Sequence, residues 1–197
     1  MKKIFLFILT LTFVMSFVVA QNMQNGSQEA VITATQNQGE SSQLQLKTQL
    51  NTGTYFNQEG KEMQVRVGEQ IQLRVRDVEA NSSLNITQSQ EQERTRLHTQ
   101  LSNGINAEIK IMPDVASETA INQLRLRQCN ETNNCTIELK EVGTGEQIRV
   151  AYEIKAQKES RVLGIFRAQM KVQIQVNAET GEVIRTQKPW WAFLATE

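Results

Sequence analysis

The sequence is poor in most of the residues that carry chemistry. Among 197 residues there are one histidine, two cysteines and two prolines, and aromatics make up 6% of the chain. A lone imidazole, His98, leaves no histidine-based metal centre, and two thiols without further ligands make a poor one. The same two cysteines exclude a disulfide-dense miniprotein. No serine sits in a Gly-x-Ser-x-Gly elbow, and Gly143-Thr144-Gly145 lacks both the phosphate-loop lysine and the dinucleotide spacing, so it reads as a hairpin turn. Charge of neither sign dominates, with 21 Lys plus Arg against 21 Asp plus Glu. The basic residues alternate with apolar ones along strands and form no phosphate-neutralising patch, which argues against nucleic acid as a partner. After residue 20 no apolar run is long enough to span a bilayer, which excludes a multi-pass membrane protein.

Amides are abundant instead: 24 Gln and 14 Asn, about a fifth of the chain. Their distribution follows the organisation of the sequence. Residues 1–20 combine Lys2 and Lys3 with an apolar run, Ile4 to Ala20, that carries no charge and ends in Val18-Val19-Ala20. This is the pattern of an export signal, either cleaved after Ala20 or retained as a signal anchor, since 17 residues lie at the lower limit for crossing a core of roughly 30 Å. Removing it leaves 19 basic against 21 acidic residues. Residues 21–40 are rich in Gln, Asn, Gly and Ser and hold too little apolar side chain to offset the entropy of ordering, so they read as a flexible polar leader.

From Ser42 the chain alternates with period two. Leu44, Leu46, Thr48 and Leu50 face away from Gln43, Gln45, Lys47 and Gln49, and the segments around 63–67, 71–76, 83–88, 94–101 and 105–111 continue the pattern. Ser102-Asn103-Gly104 supplies the left-handed turn of a hairpin. These residues, 41–112, form a β-rich region of about six short antiparallel strands with one solvated face. Met112-Pro113-Asp114 ends it.

Residues 115–128 switch to helical spacing, with Ala116, Ala120, Ile121 and Leu124 on one side, Asp114 as the expected N-cap, and Arg125 and Arg127 suited to the negative end of the dipole. Strand-like alternation returns at 136–140, 148–156, 170–176 and 183–185, with Gly181 supplying a tight turn. The fold class is therefore α+β, mainly antiparallel sheet with one helix packed on the C-terminal sheet. The α+β region 113–197 is expected to pack continuously with 41–112, since no Pro-, Gly- or Ser-rich linker separates them.

Several residues stand out as candidate sites. Cys129 and Cys135 enclose a five-residue loop and, in an exported chain, pair as a disulfide; their spacing and place at a helix end do not fit a redox motif. Asn25, Asn81, Asn85, Asn130 and Asn134 each open an Asn-x-Ser/Thr tripeptide, the acceptor for glycosylation. Asn81 and Asn85 are expected to point outward, opposite Leu84 and Ile86. His98 shares a strand face with Arg94 and Arg96, and Glu91 and Glu93 are the acidic pair nearest to it. Neither carries a catalytic pattern. The tail Lys188–Glu197 holds Trp190, Trp191 and Phe193, three of the seven aromatics left after residue 20. With Phe166 in the apolar stretch 162–166 they form a candidate interaction patch. The indoles either close the core behind the last strand or stay exposed to a membrane interface or another protein.

The helix 115–128, the strand Ile148–Ala156 and the phrase Val176-Asn177-Ala178-Glu179-Thr180-Gly181-Glu182-Val183 resemble the PepSY-type module of secreted and membrane-associated proteins. The family form is V-D-A-x-T-G-E-V, with Asn177 here in place of the common aspartate. The resemblance covers about 80 residues and lies in turn and core positions, so it transfers no active site. It implies a noncatalytic module, sometimes proposed to inhibit a peptidase or to assist folding. The expected function is a noncatalytic exported interaction or structural protein of the cell envelope that needs no cofactor. Its partner would be an envelope or extracellular protein, with membrane proximity through residues 4–20 or through the Trp-rich tail. The alternatives are a carbohydrate-binding envelope domain and an enzyme with an unrecognised surface site.

Overall fold

A computed structural model describes residues 47–129 and 134–196. The export-signal run, the polar leader, Asn25 and Asn130 lie outside the described residues. In chain order the strands are β1 (Thr48–Gln49), β2 (Gly53–Phe56), β3 (Glu62–Val67), β4 (Ile71–Val75), β5 (Val78–Ser82), β6 (Ile86–Glu91), β7 (Arg94–Gln100) and β8 (Asn106–Ile109). Then come helix α1 (Pro113–Leu124), β9 (Thr136–Val142), β10 (Arg149–Val162), β11 (Phe166–Asn177), β12 (Val183–Gln187) and β13 (Ala195–Thr196). A 3-10 turn, Trp190–Leu194, precedes β13.

The strands form two sheets. One has four strands in the order β1-β6-β7-β8, and the other has nine, in the order β12-β11-β10-β9-β5-β4-β3-β2, with β13 added to β10. The fold is α+β and mainly antiparallel, and the pairing of β5 with β9 is parallel. A parallel pair needs a long crossover. Here the crossover contains three of the small sheet's four strands, β6 to β8, and then α1, and the pairing joins the regions on either side of residue 112 into one sheet.

Three of these strands, β2, β5 and the short β13, are not foreshadowed by alternation in the sequence. Val78-Glu79-Ala80-Asn81-Ser82 contains few good strand formers. It is a strand because β4 and β9 flank it and because small Ala80 and Ser82 face inward beneath α1. The Ser82 hydroxyl donates to the Leu139 carbonyl at 2.8 Å, so its burial leaves no unpaired donor. The expected strand 83–88 is displaced to Ile86–Glu91, and of the expected strand 42–50 the described part forms only Thr48–Gln49.

The helix begins earlier than its periodicity predicts. Met112 occupies the N-cap position and Pro113 the first turn, where its missing N–H costs nothing. Asp114 is not the cap. It lies inside the first turn, where its Oδ2 accepts from Lys61 Nζ at 3.3 Å. At the other end Arg125 takes a left-handed backbone, and the cation on the helix carbonyls is Lys158 of β10, which donates to Leu124 O at 3.0 Å. Ala116, Ala120 and Leu124 are fully buried against the sheet, with α1 touching β4, β5, β10 and β11.

One apolar core joins the inner faces of both sheets and the helix. On β10 the alternation places Val150, Tyr152, Ile154 and Ala156 inward. Tyr152 is completely buried and donates its hydroxyl to Ile111 O at 2.8 Å; burial pushes its ionisation well above the ordinary phenol value. The turn between β11 and β12 locks the same region. Asn177 Oδ1 accepts from Glu179 N at 2.8 Å, while Ala178 O accepts from both Lys110 N and Ile111 N at 2.9 Å. Gly181, at φ +78°, closes the turn against Ile111. The side-chain carbonyl at 177 does what an aspartate carboxylate would do there, so Asn177 suits the same turn.

Candidate functional site

The outer face of the large sheet is polar from edge to edge. The register aligns Arg66, Gln72, Asn81, Glu138, Glu153, Gln175 and Arg185 in a row across β3, β4, β5, β9, β10, β11 and β12. Glu153 is its fixed point. Its carboxylate accepts from Lys140 Nζ at 2.7 Å, Lys155 Nζ at 2.9 Å and Gln175 Nε2 at 3.1 Å. Burial alone would raise this carboxyl, but the three donors outweigh it and hold the pKa at about 2.

Beside that cluster the face forms a cleft of about 760 Å³. Its floor is a row of Thr136, Lys155, Gln173 and Gln187, with Gln157 opposite Lys171 in the next position but one along the hairpin. Asn134 closes one side, and Lys188 and Pro189 close the other. No carboxylate lines the cleft, and among the described residues Lys171 and Lys188 form no ion pair. The cleft offers amide donors and acceptors beside Lys171 and Lys188, while the third lysine, Lys155, is held by Glu153.

A second feature lies at the far end of the β10–β11 hairpin. Beyond Lys155 the strand β10 leaves β9, and before Gln173 the strand β11 has no β12 partner, so the two strands continue as an arm. The arm turns at Leu163 and Gly164, both in left-handed backbone, and β13 pairs with Arg161 and Val162 beside the turn. Leu163 N donates to Leu194 O at 2.9 Å, which fixes the 3-10 turn against the hairpin turn. Leu163, Ile165, Phe166, Trp190 and Phe193 are each between 62% and 80% exposed at this end. Trp191 is half-buried and packs against the core. The two indoles thus have different roles: one anchors the tail and the other faces outward. Of the expected patch, Phe166, Trp190 and Phe193 project together, with Leu163 and Ile165 added.

The remaining candidates are placed as follows. Cys129 and Cys135 form a disulfide, and Ser117 Oγ of the helix donates to Cys129 O at 3.2 Å. No helix among the described residues is long and apolar enough to cross a membrane. Asn85 and Asn134 are exposed. Asn81 lies on the outer face of β5, between Gln72 and Glu138 of the flanking strands, but is half-buried there, with Oδ1 shut off from solvent and from hydrogen-bond donors.

His98 Nε2 lies 3.0 Å from Ser89 Oγ, a contact that strand order alone does not reveal. The pair resembles a nucleophile and base, but Ser89 is buried, and Glu108 opposite His98 accepts from Gln58 Nε2 at 2.6 Å. Burial first, then Lys47 and Arg96, lowers the imidazole pKa, so His98 is a neutral hydrogen-bonding partner for the hydroxyl. Glu91 pairs with Arg96 instead of with Glu93. Among the described residues no group of three His, Cys, Asp or Glu is arranged to hold a metal ion.

Over the described residues these features define an α+β fold of two sheets and one α-helix, with a polar cleft on its outer face and an apolar end. Comparison of the chain with protein-family models, curated proteins and solved structures finds no match.

Proposed function

We propose that this is an exported, noncatalytic interaction protein of the cell envelope that docks through the end formed by residues 162–166 and 190–194. The observation that carries this reading is the clustering of five large, solvent-facing apolar side chains on two adjoining turns. Scattered apolar residues need no explanation, whereas a contiguous patch marks a surface that another body covers. Export is supported by the disulfide, which persists in oxidising compartments, and by the signal pattern of residues 1–20. A PepSY-type role, restraining a peptidase or an assembly partner, is supported by the phrase from Val176 to Val183, where the turn geometry accounts for Asn177.

The test is envelope fractionation of the full chain against Trp190→Ala/Phe193→Ala. The variant is expected to keep its thermal midpoint and lose at least tenfold of its wash-resistant association with the envelope. Unchanged association, or turnover of a small substrate by the purified protein, would overturn the proposal.

The cleft supports a second reading, carbohydrate binding. Gln157, Gln173, Gln187 and Asn134 present planar amides suited to sugar hydroxyls, and Lys171 and Lys188 favour an acidic saccharide. Retention on a column of a uronic-acid polysaccharide, lost in Lys171→Gln/Gln173→Ala, would support it. Equal retention of the variant would dismiss it.

A further inference from the structure

We infer that the apolar end inserts into the interface of an anionic lipid bilayer. This rests on the docking reading above and names the occupant of that surface.

Three observations converge. The first is charge. Residues 158–169 and 188–197 contain four of the chain's 21 cationic side chains and two of its 21 acidic ones, so this end is net positive while the remainder of the balanced chain is net negative. Arg167 lies one rung below the apolar turn. The second is composition and shape. The exposed groups occupy two turns at the tip of an arm, with Trp190 and Phe193 on one turn and Leu163, Ile165 and Phe166 on the other. A tip carries little area for a rigid partner, but it penetrates a fluid one, and indoles favour the headgroup level.

The third is the backbone. Entry into an apolar medium penalises every bare amide. Here Leu163 N donates to Leu194 O, Ile165 N to Val162 O and Ala192 N to Pro189 O, all at 2.9–3.2 Å. Both turns therefore satisfy these donors internally, which lowers the cost of their leaving water. Below them, Arg167, one rung from the turn, and Lys188, two residues before Trp190, are placed to meet the phosphates. The orientation places the arm downward, with the polar cleft above the membrane plane.

The chain's two tryptophans, Trp190 and Trp191, both belong to this end, so indole emission reports on it alone, whatever residues 1–20 do. The experiment titrates the full chain with phosphatidylglycerol vesicles, phosphatidylcholine vesicles and phosphatidylglycerol vesicles carrying brominated acyl chains. The expected result is a blue shift with phosphatidylglycerol, quenching by the brominated chains, and weaker binding to phosphatidylcholine. Arg167→Gln/Lys188→Gln should weaken partitioning about twentyfold, at about fivefold per cation. Ile165→Ser/Phe166→Ser, which leaves both indoles in place, should weaken it at least tenfold. Absence of any emission change and quenching with the unmodified protein overturns the inference without relying on a variant. Wash-resistant envelope association that depends on Trp190 but persists without lipid binding also overturns it, assigning the surface to a protein partner and leaving the docking proposal intact.

Discussion

The two ends of the β10–β11 hairpin are built from the same pair of strands and behave as opposites. At the inner end, Tyr152, Ile154, Ile174 and Val176 are buried, the reverse face is pinned by Glu153, and the closing turn is bonded to residues 110 and 111. At the outer end the strands outrun β9 and β12, and large apolar side chains face solvent. The difference is one of neighbours. Alternation produces a core face only where something covers it, and the outer turns have no cover among the described residues. Stability is therefore concentrated at one end and exposed apolar surface at the other.

The sharpest way to break this contrast is to attack both ends. Tyr152→Ala should destabilise the fold by about 3–5 kcal/mol, because it leaves a cavity in the centre of the core and removes the hydrogen bond to Ile111. Phe166→Ser at the other end should change stability by no more than about 0.5 kcal/mol. Urea denaturation of the two variants checks the pair, and equal losses would refute the contrast.

Glu153 offers a pH-dependent version. Its carboxyl has a folded pKa of about 2 against an ordinary value of 4.5, so its contribution is complete above the unfolded value and is lost as pH falls through the folded one. The window is about pH 4.5 down to 2, and the contribution is on the order of 3 kcal/mol before exposure of the lysine partners is discounted. Glu153→Gln should remove this component of the acid dependence and cost about 1–3 kcal/mol at neutral pH, read from urea midpoints across that range.

Cys129→Ser/Cys135→Ser should cost about 2 kcal/mol, because the closed loop is short and little unfolded-chain entropy is restricted. The smallest effects are expected at the turn. Asn177→Ala should cost about 1 kcal/mol by losing the bond to Glu179 N, whereas Asn177→Asp should be close to neutral. Thermal midpoints distinguish the two, and equal losses would show that the side-chain carbonyl is not the important group.

Legibility in the sequence followed the range of the interaction. Strands with strong alternation, such as β3, β4, β10 and β11, are visible because their pattern is local. The helix is visible for the same reason, but its ends are set by Pro113 at the start and by Lys158, distant in sequence, at the finish. The strand β5 is invisible, since Ala80 and Ser82 gain their strand character from α1, β4 and β9. Among site residues, Phe166, Trp190, Trp191 and Phe193 stand out by type alone. The sequence does not separate Trp191, packed on the core, from Trp190, facing solvent. Nor does it reveal the cleft, whose amides and lysines come from separate strands placed side by side by register.

By itself the sequence determined the α+β class, the short disulfide loop, the helix near residue 115 and the unusual aromatic tail. These depend on residue type and short-range periodicity. Tertiary structure decided the division into two sheets, the parallel joint between β5 and β9, the Ser89–His98 contact and the opposite fates of two adjacent tryptophans. Each of those depends on which remote segment arrives as a neighbour, and strand alternation specifies a face for burial without specifying the partner that buries it.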